Sequence, residues 1–144
     1  MKTVVVFQSD AFDTAPRHDV SPLGHDVARW LMQRLQAAGV AVDGEPAQED
    51  FGWYFDFTVE RTAHCCVIGS RPREDDTFEW IGWVERSRGF LGSVLGFRNK
   101  VILPAAVRAL HVALSNAPEI SGIVWHDKSA FDRSDETQGS PTPE

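Results

Sequence analysis

Residues 49–60 read EDFGWYFDFTVE, and every second position from 51 to 59 is apolar: Phe51, Trp53, Phe55, Phe57 and Val59. Gly52, Tyr54, Asp56, Thr58 and Glu60 fall between them. A period of two belongs to a strand with one covered face, since a helix repeats at about 3.6 residues. Large side chains on one face require a covering layer, and burying each one contributes roughly 1.5–3 kcal/mol. The row is therefore expected to face helices. Tyr54, Asp56 and Thr58 should then point the other way, because one step along a strand reverses the side chain.

The rest of the chain can supply that layer. Ser21 reads as a helix N-cap, Pro22 as the first helical residue and Gly39 as the residue just past the end. Leu23, Val27, Leu31 and Leu35 repeat at four-residue intervals between them. A second helix is expected after Pro104, with Val107, Leu110 and Leu114 on one side. Short strands are expected at Val4–Phe7, near Val40–Val42, at 63–69, at 78–85 and around 120–126, with a loop over 43–50. The stretch 87–103, with Gly89, Gly92 and Gly96, resists assignment.

Strands in succession usually pair antiparallel, with helices gathered on one side. The expected fold is an α+β two-layer sandwich: a mainly antiparallel sheet of five to six strands, with two helices on one face. The element order is similar to that of TATA-box-binding-protein-like halves, an analogy that carries no function. Residues 1–126 are read as a single α+β domain. Residues 127–144 carry one aromatic and no period, and are read as a flexible acidic C-terminal tail.

Charge and cysteine use narrow the function. Lys plus Arg number 14 against 21 Asp plus Glu, a net charge of −7, which repels a phosphate backbone and argues against nucleic-acid partners. The only cysteines, Cys65 and Cys66, are adjacent. Neighbours on a strand point apart, so they do not build a disulfide. The apolar run Val4–Phe7 is too short for a signal peptide, and no run reaches about 18 residues, so no membrane role is expected. A cytoplasmic protein with reduced thiols is the expectation.

SPLGHDVARWLMQRLQAAG at 21–39, EDFGW at 49–53, EWIGW at 79–83 and GIVWH at 122–126 together carry a resemblance. The combination is similar to a group of small bacterial proteins without assigned function. Across 21–126 the resemblance marks Glu49, Asp50, Gly52, Trp53, Trp80, Gly82 and Trp125, and it implies no chemistry.

Among candidate sites, Trp80 and Trp83 stand three apart and so face opposite sides of a strand. One of them should join Tyr54 on the uncovered face. With Glu49, Asp50 and Trp53 they form the ligand-binding set Glu49, Asp50, Trp53, Tyr54, Trp80 and Trp83, since aromatics beside carboxylates suit a flat or cationic ligand. HDVSPLGHD carries two His-Asp pairs, His18-Asp19 and His25-Asp26, whose spacing across a helix start does not favour metal binding. His64 beside Cys65 and Cys66 does not make a nucleophile without a neighbouring base. No catalytic residue, metal or cofactor is implied. The expected function is a non-catalytic module binding a protein partner or a small aromatic or cationic ligand. The alternative is a small hydrolase or transferase using His and carboxylate groups. It would need two of His64, His111 and His126 gathered with Glu49 or Asp50. A homodimer that covers exposed aromatics is a further expectation.

Overall fold

The structure, a computed structural model, describes residues 1–15, 21–87 and 101–144. His18, Asp19, Gly89, Gly92 and Gly96 lie outside the described residues. Among the described residues, six strands form one sheet: β1 (Val4–Gln8), β2 (Ala41–Gln48), β3 (Gly52–Val59), β4 (Thr62–Pro72), β5 (Phe78–Arg86) and β6 (Ser121–His126). Their order is β2-β3-β4-β5-β1-β6, and every neighbouring pair runs antiparallel. The described helices are α1 (His25–Ala37), α2 (Pro104–Ser115) and the short α3 (Lys128–Asp132). The class is α+β, as the run of strands predicts. The chain starts inside the sheet, crosses by α1 to the β2 edge, and returns through three hairpin-like connections to seat β5 beside β1.

One face of the sheet, here the inner face, carries α1 and α2. Phe7, Phe55, Phe57, Ile68, Trp80 and Trp125 from the strands meet Val27, Leu31, Leu35, Leu110 and Leu114 from the helices in one buried cluster. Trp53 and Val59 pack against its margin. Four of the five apolar side chains in the opening row thus face the helices. Phe51 does not. It is 51% exposed and stacks on Trp83, with ring centroids 5.4 Å apart.

The backbone explains this departure. The Glu49 N–H donates to the Gly52 carbonyl at 2.8 Å, so the turn closes just after Phe51. Gly52 lies against β4 so closely that a Cβ there would stand 1.9 Å from the Ile68 carbonyl oxygen. Only glycine permits that approach. Phe51 precedes the first paired residue, and strict alternation does not reach it.

Two boundaries differ from the sequence reading for local reasons. α1 begins at His25 with Gly24 as N-cap, and no side chain caps it. Ser21 and Pro22 lie before the helix because the Pro22 carbonyl accepts the Trp53 indole N–H at 2.9 Å. Its other end is as expected: Val40 N–H bonds the Leu35 carbonyl, Gly39 N–H bonds that of Gln36, and Gly39 sits at φ 87°. Residues 43–48, read as loop, continue β2 through an irregularity between Asp43 and Ala47. β2 is an edge strand, where Pro46 costs no ladder bond and the kink discourages further pairing.

Residues 127–144, read from composition as a flexible tail, are laid against the sheet. Asp127 caps α3 by accepting the Ala130 N–H at 3.1 Å. Ser140 exchanges both backbone hydrogen bonds with Trp125, at 2.6 and 3.0 Å. The Lys2 N–H reaches the Pro143 carbonyl at 2.8 Å. Polar contacts hold this segment, and hydrophobic periodicity has no means of revealing them.

Candidate functional site

The outer face, turned away from α1 and α2, gathers the chemistry. Register sets its rows. Tyr54 pairs with Val67 and Val67 with Trp83; two residues along, Asp56 pairs with Cys65 and Cys65 with Glu85. Two rings therefore flank Val67 while two carboxylates flank Cys65. Strands about 4.8 Å apart put each outer pair roughly 10 Å from one another. Val67 and Cys65 are buried, so they form the floor. Tyr54, Asp56, Trp83 and Glu85 are half-buried around it.

Local bonds hold the walls. The Trp83 indole N–H donates to Glu85 Oε1 at 2.9 Å, which fixes ring and carboxylate together. Phe51 lies over Trp83 with the ring planes 26° apart. Gly69 lies beneath the Phe51 backbone, where a Cβ would make only an ordinary contact, 3.6 Å from the Phe51 carbonyl oxygen. The result is a shallow patch of aromatic rings and acids.

A second cluster lies where residues 127–144 cross the outer face. Arg71 donates through Nε to Glu79 at 2.7 Å and through both terminal nitrogens to Glu136, at 3.0 and 2.7 Å. The bidentate fork with Glu136 raises the Arg71 pKa further and holds the Glu136 carboxyl below the usual range. His126, 5% exposed, lies 3.9 Å from Glu136 through Nε2. Its pKa is lowered, chiefly by burial, with Arg71 and Lys2 adding repulsion and Glu136 and Glu79 opposing. Phe131 packs on the His126 ring and beneath the Arg71 guanidinium, bridging β6 to β4 above the strands between them. A concavity of about 440 Å³ opens beside Arg71, lined by Pro72, Arg73, Glu74, Asp75 and Glu79 as well.

No protein family, curated relative or solved structure matches the chain.

The six residues of the expected ligand set are not brought together. Trp83 and Tyr54 share the outer face as the alternation requires. Trp80 is fully buried among the helices, where it touches Phe12 edge-on, and it offers no surface to a ligand. Trp53 also belongs to the inner side: it is bonded to Pro22 and meets the His25 ring edge-on at 4.6 Å. Glu49 and Asp50 lie in the turn between β2 and β3, with Asp50 exposed. Asp56, Glu85 and Phe51 were missed. The first two could have been found, because Asp56 alternates with Tyr54, and Glu85 stands two residues from Trp83.

The described histidines of the hydrolase reading, His64, His111 and His126, do not converge. His64 is fully buried, with Nε2 accepting the Leu103 N–H at 3.1 Å and Nδ1 set 3.1 Å from the Thr62 carbonyl. Because Nε2 accepts a hydrogen bond, the ring proton sits on Nδ1, so the ring is neutral and ties β4 to Leu103, the residue before α2. Burial is the main cause of its lowered pKa, with Arg86 adding to it. His111 accepts the Trp125 indole N–H at 3.0 Å on the inner side. His126 lies on the outer face. Burial likewise pushes the Cys66 thiol well up, the reverse of what a nucleophile needs. Among the described residues, no group of three or more His, Cys, Asp or Glu is placed to hold a metal ion, and no helix is long and apolar enough to cross a membrane.

Proposed function

We propose that the outer-face patch is a recognition surface for a cationic group, presented by a protein partner or by a small molecule with a flat or apolar body. The observation that carries this reading is the arrangement of Tyr54 and Trp83 about Val67 with Asp56 and Glu85 about Cys65. Ring faces attract cations through their quadrupole, and desolvated contacts contribute about 2 kcal/mol or more. Two nearby carboxylates add Coulomb attraction, and the net charge of −7 draws a basic ligand toward the whole chain. The exposed Phe51 ring extends the apolar wall outward.

The test is a titration of the full chain with an arginine-rich peptide and with a quaternary ammonium ion, followed through the Trp83 indole N–H by NMR. Binding should shift that signal, and Glu85→Gln and Asp56→Asn should each weaken it by about tenfold, equivalent to roughly 1.4 kcal/mol. A Trp83 signal indifferent to both ligands would discard the proposal. Turnover of ester or phosphate substrates that depends on His126 would instead favour the hydrolase or transferase reading.

A further inference from the structure

Residues 127–144 are attached to the sheet with little buried side-chain area. α3 contributes no buried residue, and of residues 133–144 only Pro143 is buried. What holds the segment is a set of discrete polar contacts. Glu136 takes the Arg71 fork, Ser140 makes the two-bond bridge to Trp125, and Lys2 Nζ reaches the Gln138 carbonyl at 2.7 Å and Ser140 Oγ at 2.6 Å. Ion pairs at a surface contribute little each, and a segment with little buried apolar area opens at low cost while the core stays closed.

Opening it would uncover a specific surface. β6 is the outermost strand of the sheet, and Ser140 occupies both backbone groups of Trp125 on its free side. Four residues before Ser140, Glu136 occupies Arg71 on the outer face. Gly139 lies between them against Val124 and His126, where a Cβ would stand 2.5 Å from Val124 Cγ1 and 2.8 Å from His126 Cε1. The segment thus satisfies a strand edge, a guanidinium and a tight apolar contact in one pass, with a turn at 137–138 where Asp135 Oδ1 accepts the Thr137 N–H at 3.1 Å.

We propose that the β6 edge with Arg71 and Lys2 is a docking site for a short acidic peptide that turns between its carboxylate and the residue bridged to Trp125, occupied in this chain by its own residues 133–144. The ligand it takes carries a carboxylate four residues before the position that pairs with Trp125, and glycine just before that position. The two-bond backbone bridge at Trp125 and the carboxylate fork on Arg71 together hold such a peptide, and the fork and the glycine supply the selectivity. The cis segment acts as a tethered competitor, so an external peptide must displace it or find it released.

The full chain carrying Gly139→Val tests this, because the added side chain cannot fit against Val124 and His126. Hydrogen exchange at Ser140 and Trp125 should accelerate in this variant, while the amides of Phe55 and Phe57 keep their protection. A synthetic peptide of residues 133–144 should then bind the variant about tenfold more tightly than the unaltered chain, where the cis segment competes. The same peptide with Glu136→Gln should bind about tenfold more weakly than the unmodified peptide. Glu136→Gln in the full chain is the milder control: it removes the fork without adding bulk, and should speed Ser140 exchange alone. The proposal falls if the peptide binds neither protein, or if the peptide's glutamate makes no difference. It falls equally if β3 loosens together with Ser140 in both variants, since the segment would then belong to the core.

Discussion

Trp80 and Trp83 are three residues apart on β5 and have unlike surroundings. Trp80 points to the inner face, is fully buried, and has no hydrogen-bond partner for its indole N–H among the described residues. Trp83 points to the outer face, keeps part of its ring exposed, and ties its N–H to Glu85. The inner face accepts an unsatisfied donor, at a cost of about 1–3 kcal/mol, because the apolar burial around it is large. The outer face is built the other way, with Trp83 held by the Glu85 carboxylate and by the stacked Phe51 ring. The same residue type fills space on one side and presents a surface on the other. Register alone makes the difference.

The largest effect that can break this comparison lies on β3. Phe55→Ala should leave a cavity between sheet and helices and cost about 3–5 kcal/mol. Tyr54→Ala, one step away on the outer face, should cost about 1 kcal/mol or less, since its ring is only half covered. Denaturant melts of the two variants measure the contrast. Comparable losses would mean that the outer face is a second core.

A smaller effect concerns the buried polar contact that joins β4 to α2. His64→Ala leaves the Leu103 N–H without its acceptor and should cost about 1–3 kcal/mol. Because the folded pKa of His64 lies below that of the unfolded chain, the unfolded state binds more protons in the window between the two values. Stability is therefore full above about 6.5, the ordinary histidine value, and falls as pH drops through that window. His126 is lowered too and acts with the same sign, so the variant's pH slope should shrink without vanishing. Thermal melts between pH 5 and 7.5 (roughly the histidine range) read this directly. An unchanged slope in His64→Ala would show that the ring does not titrate with unfolding.

Much of the inner face was legible in the sequence, and much of the outer face was not. Period-two and period-four patterns exposed Phe55, Phe57, Leu31 and Leu110 because burial of a whole face leaves a repeating record. Pro104 opened α2 where its fixed φ predicts. The start of α1 was misplaced because Pro22 serves Trp53 from across the fold, a contact with no local signature. The clasp of residues 127–144 escaped for the same reason: Arg71 and Glu136 lie far apart in sequence, and a bidentate pair leaves no periodic trace. Asp56 was visible as an outer-face residue, but the face of Glu85 hung on which of Trp80 and Trp83 points outward, and the pairing of both acids about Cys65 depends on strand order, which composition does not supply.

The smallest effect separates the two faces most finely, at Phe51. Counted by parity it belongs with Trp53 and Phe55, and a core residue replaced by alanine would cost several kcal/mol. Its ring instead lies half in solvent, stacked on Trp83. An aromatic pair contributes about 0.5–1.5 kcal/mol, so Phe51→Ala should cost no more than that. Its consequence should appear in the partner: the Trp83 indole N–H, still bonded to Glu85, should shift in NMR spectra, while the Trp80 signal stays in place. Phe51→Leu, which keeps apolar cover without a stacking face, should restore most of the stability but not the Trp83 shift. A loss near that of Phe55→Ala would return Phe51 to the core row and leave the outer patch without its upper wall.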